Sequence, residues 1–456
     1  MTPNTCSCSD WSRARLLRSA AAQAGQGLPA IEPGMPMPAG TGLSRRSFMS
    51  RAAGLAFAVY GAASMGPRAF EEGIAAAAAA TPGERVLVSV FLSGGADSMT
   101  VLAPTGDPRY ATLRPNLAMS PSAGSAFADD ARLRWHPSAS GLATLHGEGK
   151  LTVMPAIGYT GANQSHFTSR HYWEVGETNP NGRWGWLGRF LDRHGAADNP
   201  LQGVTLGSAL QPSMAAMQVP VATVSQPNSY YFYGPGVFDP VNGKMLDAFG
   251  ELGELTTTDP SLAYARQAVA TTSRLREQLL PFQNGFTTPV GYPAGTLAGR
   301  LKALAAMIDA DLPLRVVALE ADGSFDTHAN QAADLDTRMQ ATSASLLAFQ
   351  RDLEARGLAD RVLVHVWSEF GRRAAENGSG TDHGAAGMGF VMGANASGEM
   401  IGEFPGLSVL DSGGNLRPTS DFRSVYSSLL EQWLGVDAAP IIPDAGGFAR
   451  VPLVAS

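Results

Sequence analysis

Residues 361–384, RVLVHVWSEFGRRAAENGSGTDHG, join a largely apolar run to a polar loop. The run Val362–Trp367 is rich in β-branched residues, which predicts a strand buried on both faces. Glu369 follows the strand, and a Gly/Ser/Asn-rich loop then leads to Asp382 and His383. In open α/β sheets, ligands bind beyond the carboxyl ends of the strands. Carboxylates and imidazoles are donors that divalent metals accept, so this segment predicts half of a metal site.

Two further strand tips carry candidate ligands. Residues 85–92, RVLVSVFL, predict a buried strand, after which two glycines allow a tight turn in front of Asp97. Asp97 is either a metal-binding or catalytic carboxylate or the N-cap of the next helix. Residues 314–319, LRVVAL, predict another strand, which is followed by Asp326 and His328. Alternate residues of an extended loop point to one side, so Asp326 and His328 are predicted to face one ion.

A polar cluster, residues 163–174 (NQSHFTSRHYWE), follows a predicted strand at 151–158. Ser165 opens the helix that this cluster predicts. Its hydroxyl is either an N-cap, with Thr168 or Ser169 as alternatives, or a nucleophile. A helix N-terminus favours an anionic phosphate or sulfate through its dipole and its free N–H groups. The residues alone leave both alternatives open.

The order of these elements predicts an α/β fold, with a mostly parallel central sheet and helices on both faces. One more short strand is predicted at 390–393. The predicted helices fall at about 136–150, 260–281, 294–309, 330–356 and 421–435. Residues at about 180–260 are rich in Gly, Pro and aromatic residues, and predict an irregular insertion that shapes a substrate cleft. The alternative is that these aromatics are exposed and structural.

The first 80 of the 456 residues predict a leader and residues 81–456 a single domain. Arg45 and Arg46 precede a moderately apolar stretch, 52–65, and a small-residue tract, 75–80, ends before Thr81. This pattern predicts a twin-arginine export signal and a periplasmic or secreted protein. A membrane anchor and a disordered tail are the alternatives. The apolar stretch is shorter than the ~20 residues that span a bilayer, so no stable membrane anchor is expected.

Composition narrows the classes of function. With 44% hydrophobic and 16% charged residues, the chain is typical of a soluble globular protein with a substantial core. Residues 81–456 keep 26 Lys and Arg against 36 Asp and Glu, a net charge near −10, which argues against a nucleic-acid partner. Both cysteines, Cys6 and Cys8, lie in the leader, so the exported chain has no disulfide or thiolate chemistry. The sequence contains no GxSxG, P-loop, GxGxxG, HExxH or CxxC motif.

Several motifs, in this order, carry a resemblance to a known family: the twin-arginine signal, FLSGGADSMTVLAP, SHFTSRHYWEVG, FDTHANQ, VHVWSEFGRR, NGSGTDHG and TSDFRSVYSSLLEQWLG. Together they resemble the DUF1501 family over essentially the whole exported chain. That family, of unknown function, is placed in the alkaline phosphatase and sulfatase superfamily. The resemblance implies that fold, a nucleophile region at Ser165 or His166, and metal ligands at Asp97, Asp326, His328, Glu369, Asp382 and His383. Glu369 stands where many relatives carry Asp followed by His, and the usual nucleophile motif is not recognisable.

The leading hypothesis is an exported metal-dependent hydrolase acting on a small-molecule or glycan ester of phosphate or sulfate. The six ligands would hold one or two divalent ions, for which Zn, Mn, Ca and Mg are all candidates. Ser165 or a metal-activated water would attack, and Arg170 or Arg372 would offset charge on the transferred group. The rival hypothesis is a non-catalytic exported binding or assembly protein that uses the aromatic residues between 184 and 233.

Overall fold

The computed structural model describes residues 34–37, 39–40, 59–60, 85–196, 199–229 and 241–455. The twin-arginine motif and the tract before Thr81 lie outside the described residues, as do the insertion aromatics at 230–233. The two-residue strand Val59–Tyr60 pairs antiparallel with strand β4, defined below.

A central sheet organises the fold. Its strands are β1 Val86–Phe91, β2 Leu151–Gly158, β3 Gly203–Leu206, β4 Val221–Val224, β5 Val316–Glu320, β6 Val362–Trp367, β9 Gly387–Met392 and β10 Ser420–Asp421. A separate hairpin, numbered in the same series, consists of β7 Arg372–Glu376 and β8 Thr381–His383. The spatial order from the Val59–Tyr60 edge is β4, β3, β5, β1, β6, β9, β2 and β10. The first five strands in this spatial order, β4, β3, β5, β1 and β6, are all parallel. Strand β9 lies between β6 and β2 and runs antiparallel to both. The predicted mostly parallel sheet is confirmed.

Helices cover both faces of this sheet, as predicted. Alternate side chains of β1 belong to two separate hydrophobic cores, one on each face of the sheet. Val86, Val88 and Val90 lie in one core, and Leu87 and Phe91 lie in the other. The main helices are α1 Ser140–Gly147, α2 His166–Val175, α3 Trp186–His194, α4 Val241–Glu254, α5 Pro260–Leu279, α6 Thr296–Asp309, α7 Gln331–Ala355 and α8 Phe422–Ser428. The first core is closed by helices α1, α6 and α7, and the second by α2, α3 and α8.

The range 180–260 differs from the predicted irregular insertion. It contains α3, α4 and the sheet strands β3 and β4, so much of it belongs to the regular fold. Both strands have only four residues and are fully or mostly buried, which leaves too short a pattern to predict from sequence. Trp186 packs in the core at the start of α3 rather than in a cleft.

The carboxyl ends of β1, β2, β5 and β6 meet at one edge of the sheet, since these four strands run in the same direction. The loops that follow them carry the candidate site residues, and the β7–β8 hairpin lies directly after β6. Among the helices of the described residues, none is long and apolar enough to cross a bilayer.

Candidate metal centre

Asp326, in the loop after β5, is the carboxylate on which the site converges. Three histidine Nε2 atoms lie close to its oxygens: those of His166 at 3.4 Å, His328 at 3.1 Å and His383 at 3.3 Å. Arg372 donates to Oδ1 of Asp326 at 2.6 Å. Burial alone would raise the pKa of Asp326, but the contacts with the three histidines hold it well below its usual value. Asp326 is therefore an ionised carboxylate surrounded by imidazoles.

Each of the three imidazoles is oriented by an acceptor at its other nitrogen. Nδ1 of His166 lies 2.8 Å from Glu369, Nδ1 of His328 lies 3.3 Å from Asp382, and Nδ1 of His383 lies 2.8 Å from the Gln164 carbonyl. A carboxylate or a carbonyl can only accept, so each Nδ1 is placed to carry the ring proton when Nε2 binds a metal ion. All three Nε2 atoms are directed to the same place, at Asp326.

This arrangement fits a divalent metal. Donor atoms of His166, Asp326 and His383 all lie within 4.8 Å of one another. His328 adjoins them, with its Nε2 2.9 Å from the His383 Nε2. Metal-binding histidines commonly donate their second nitrogen to a carboxylate or a carbonyl, which is the pattern found at all three rings here. The loops after β5 and β6 and the start of α2 thus bring together donors that are 217 positions apart in sequence.

Glu369 orients His166 instead of joining the donors. Its carboxylate is fully buried and accepts from the backbone N–H of Gly94 at 2.9 Å and of Gly95 at 3.1 Å. Burial alone would raise the pKa of Glu369, but the contact with His166 lowers it, and the net pKa lies below the usual value. Glu369, predicted as a metal ligand, therefore lies outside the donor cluster and pairs with His166, as an outer-shell carboxylate would.

Two glycines after β1 allow that cradle to form. Gly94 and Gly95 have φ values of +116° and +74°, which side chains rarely adopt. An added Cβ at Gly94 would lie 2.4 Å from the Asp326 backbone nitrogen, and at Gly95 2.3 Å from the Phe370 ring. The tight turn predicted here thus brings the backbone close to other parts of the chain. In this position the N–H groups of Gly94 and Gly95 point at Glu369.

Asp97 lies outside the donor group, in the N-cap role weighed as its alternative. Its side chain accepts from the Met99 N–H at the start of the short helix Ser98–Val101, and forms a buried double hydrogen bond with Arg114. Thr100 and Gln331 each donate to it at 2.6 Å. Burial alone would raise the pKa of Asp97, but Arg114 and Thr100 bring it below its usual value.

The two predicted charge-offsetting arginines both contact acceptors of the protein itself. Arg372 is buried and donates to the carbonyls of Gly95 at 2.8 Å and Thr381 at 2.9 Å, besides Asp326. Arg170 is buried against Phe91 and pairs with Glu174 four residues along α2. Arg372 ties the ligand loops together, and Arg170 stabilises α2 beneath the site.

The predicted nucleophile, Ser165, is the N-cap of α2, since its hydroxyl accepts from the Phe167 N–H at 3.2 Å. The residue next to it, His166, is the first of the metal-competent donors. Asp382, half exposed, holds His328 and accepts from Asn377 at 2.9 Å. Of the six predicted ligands, Asp326, His328 and His383 reach the donor cluster, and Glu369 and Asp382 support it from outside.

The family model described as a protein of unknown function, DUF1501, matches residues 263–418. The resemblance to DUF1501 is confirmed over this segment. The DUF1501 segment contains Asp326, His328 and His383, and His166 reaches them from α2, outside the segment. Sequence reasoning missed the Gln164 carbonyl, Arg114 and Gln331, whose roles depend on contacts that no local pattern encodes.

No curated protein was found to match the sequence. Solved structures to which this chain is similar include the lipoteichoic acid synthase LtaP from Listeria monocytogenes, at 9% identity over 88% of this chain and 81% of that chain, with a TM-score of 0.32. A protein in the alkaline phosphatase superfamily from Vibrio parahaemolyticus is 10% identical over 90% and 80%, with a TM-score of 0.34. The PsFucS1 sulfatase from Pseudoalteromonas sp. is 11% identical over 80% and 72%, with a TM-score of 0.29. Similarity at this level bears on neither the chemistry nor the substrate of this chain.

Replacing Glu369 by glutamine should lower the affinity for a divalent metal about 10–100-fold, the usual cost of losing an outer-shell carboxylate. An amide cannot accept from both glycine N–H groups and from His166 as a carboxylate does. Metal titration against a competing chelator measures the change. Glu403→Gln, at an exposed position, is the matched control and should bind like the unaltered chain. Equal affinity in Glu369→Gln would show that His166 needs no such partner.

Proposed function

We propose that this chain is an exported, metal-dependent hydrolase of a phosphate or sulfate ester. One observation carries the proposal: His166, Asp326 and His383 present their donor atoms within 4.8 Å of one another, and Nδ1 of each imidazole faces an acceptor. The ester class rests on the DUF1501 resemblance and its superfamily placement. Export rests on Arg45 and Arg46 and the apolar stretch after them.

The donor set favours a transition metal over Mg²⁺ or Ca²⁺. Imidazole suits Zn²⁺ and carboxylate suits Mn²⁺, so a mixed set can take either ion, whereas Mg²⁺ and Ca²⁺ prefer sites made of oxygen alone. With at least two imidazoles and one carboxylate, Zn²⁺ or Mn²⁺ is the ion we propose. Bound there, it would act as a Lewis acid and favour ionisation of a water.

The protein side chains divide the remaining tasks. Glu369, Asp382 and the Gln164 carbonyl fix the three rings, and Arg372 holds Asp326 in place while compensating its charge. Ser165 acts as a helix cap, so the proposed nucleophile is water and not a serine hydroxyl. No covalent enzyme intermediate is required by this assignment.

Phosphate and sulfate monoesters and diesters should be screened with the chain loaded with Zn²⁺, Mn²⁺, Mg²⁺ or Ca²⁺. The proposal expects turnover with Zn²⁺ or Mn²⁺ that a chelator removes and the metal restores. Turnover that persists after the metal is removed contradicts it.

The role of Ser165 is tested by two variants in the same assay. Ser165→Asn removes the hydroxyl but keeps an N-cap acceptor, and Ser165→Ala removes both. We expect both variants to retain turnover, with Ser165→Ala about 1 kcal/mol less stable to urea because the cap is lost. Loss of turnover in both variants, with metal still bound, would identify Ser165 as the nucleophile.

A non-catalytic binding or assembly protein is the second candidate, and the position of His328 favours it. If His328 joins the other three donors, the site has four protein ligands, the number of a closed structural zinc site. A stoichiometric metal without turnover on any ester, together with a lower unfolding stability when the metal is removed, would support this second reading.

A further inference from the structure

The α4–α5 helical hairpin exposes an apolar surface. Ten large apolar side chains are exposed among the described residues, and six of them lie between positions 241 and 262. We define the α4 stripe as Val241, Met245 and Leu252, which are 56%, 48% and 57% exposed. Their spacing places them on one side of the helix. Leu255 and Leu262, which follow α4 in sequence, are also exposed. Concentrations of exposed apolar residues of this kind mark interaction sites.

The packing of α4 on α5 holds the stripe outward. The two helices meet through small residues, because a Cβ at Gly250 would lie 2.3 Å from the Ser273 hydroxyl and one at Gly253 would lie 2.6 Å from the Ala270 nitrogen. An ion pair of 3.0 Å between Asp247 and Arg276 fixes the rotation of α4 further. The large side chains of the stripe cannot turn into the hairpin without breaking this close contact.

Charges beside the stripe indicate what covers it. Lys244 and Glu251 are exposed, lie seven residues apart on one flank of the stripe, and form no ion pair within the described residues. In an antiparallel pair of α4 helices related by a two-fold axis, centred between residues 247 and 248, each Lys244 faces Glu251 of the second copy. A parallel pair would place like charges together.

We propose that the α4 stripe is the interface between two copies of this chain, with the two α4 helices packed antiparallel. The apolar residues of the two stripes interleave along a helix of about 21 Å, and two Lys244–Glu251 contacts set the register. An anionic membrane surface fits less well, because Glu251 and Glu254 border the stripe and residues 81–456 carry a net charge near −10. This inference is independent of the chemistry proposed above.

Sedimentation and light scattering over a range of chain concentrations test the proposal. The unaltered chain should be a dimer, and Met245→Glu should be monomeric with an unchanged circular dichroism spectrum. Val409→Glu is the matched control, since Val409 is 51% exposed but lies far along the chain from α4, and it should remain dimeric. A chain that is monomeric at every concentration, or a dimer that Met245→Glu does not weaken, overturns the proposal.

A charge exchange tests the antiparallel register itself. Lys244→Glu and Glu251→Lys should each raise the dimer dissociation constant about tenfold, since each creates two like-charge contacts in a symmetric dimer. The double variant should restore the original dissociation constant. Failure of the double variant to recover overturns the antiparallel arrangement. Binding of the unaltered chain to anionic vesicles through Met245, in place of dimer formation, overturns the proposed partner.

Discussion

Replacing Asp326 by asparagine should abolish stoichiometric binding of Zn²⁺ or Mn²⁺ and, with it, any ester turnover. Asp326 supplies the negative charge of the cluster and contacts all three histidines at 3.1–3.4 Å. Its loss should therefore cost more affinity than the roughly 10–100-fold expected when an outer-shell partner is removed. Elemental analysis of the purified variant, followed by a chelator-buffered titration, measures the effect.

The matched control for this experiment is Asp334→Asn, a half-exposed position on α7, which should bind metal normally. Arg372 loses its charged partner in Asp326→Asn, so urea unfolding of the metal-free proteins must be measured as well. An intact metal-free fold with metal binding lost assigns the effect to the ligand. One metal per chain at unchanged affinity in Asp326→Asn would remove this cluster as the metal site.

The variant His328→Ala distinguishes a metal site with one open coordination position from a site closed by four protein ligands. With three donors, His328→Ala should retain the metal, because His166, Asp326 and His383 remain in place. With four donors, the same variant should lose the metal almost as completely as Asp326→Asn does. The three-donor result supports the hydrolase, since catalytic zinc sites keep one position for water or substrate.

The buried strands were the most predictable part of the fold. Strands β2 and β6 begin and end where the apolar runs of the sequence begin and end, because a strand covered on both faces needs apolar residues at every position. The strands β3 and β4 were missed, since four residues between glycines and prolines give no clear period. Their place in the sheet is decided by pairing with each other and with β5.

The location of the candidate site could be predicted from the sequence, but the role of each residue in it could not. The strand-tip rule led to Asp326, His328, Glu369, Asp382 and His383 because parallel strands deliver their following loops to one edge. Whether a carboxylate binds metal or orients a histidine depends on which nitrogen of the ring faces it, and tertiary hydrogen bonds decide that. Glu369 and Asp97 both read as strand-tip ligands, yet one is held by two glycine N–H groups and the other by Arg114.

Replacing Asp97 by asparagine should destabilise the fold by about 3–5 kcal/mol, the range found when one partner of a buried ion pair is removed. Arg114 has no exposed side-chain surface, and its guanidinium would lose its carboxylate while remaining buried. Gln331, which donates to Asp97, also accepts from Thr327 and Thr381 in the two ligand loops. Urea unfolding at neutral pH measures the loss, and a weaker metal affinity should accompany it.

The pH dependence distinguishes a lost charge from a packing defect. Because the pKa of Asp97 is lowered in the folded chain, its contribution is fully present above the unfolded pKa of about 3.9 and is lost as the pH falls through the lower folded value. The stability difference between Asp97→Asn and the unaltered chain should therefore be constant near neutrality and shrink only below about pH 4. Asp311→Asn, which removes the exposed pair with Arg361, should cost at most about 1 kcal/mol. A difference for Asp97→Asn that stays constant down to the lowest pH at which the chain folds would mean that its charge contributes nothing, and that Asp97 holds the ligand loops by hydrogen bonding alone.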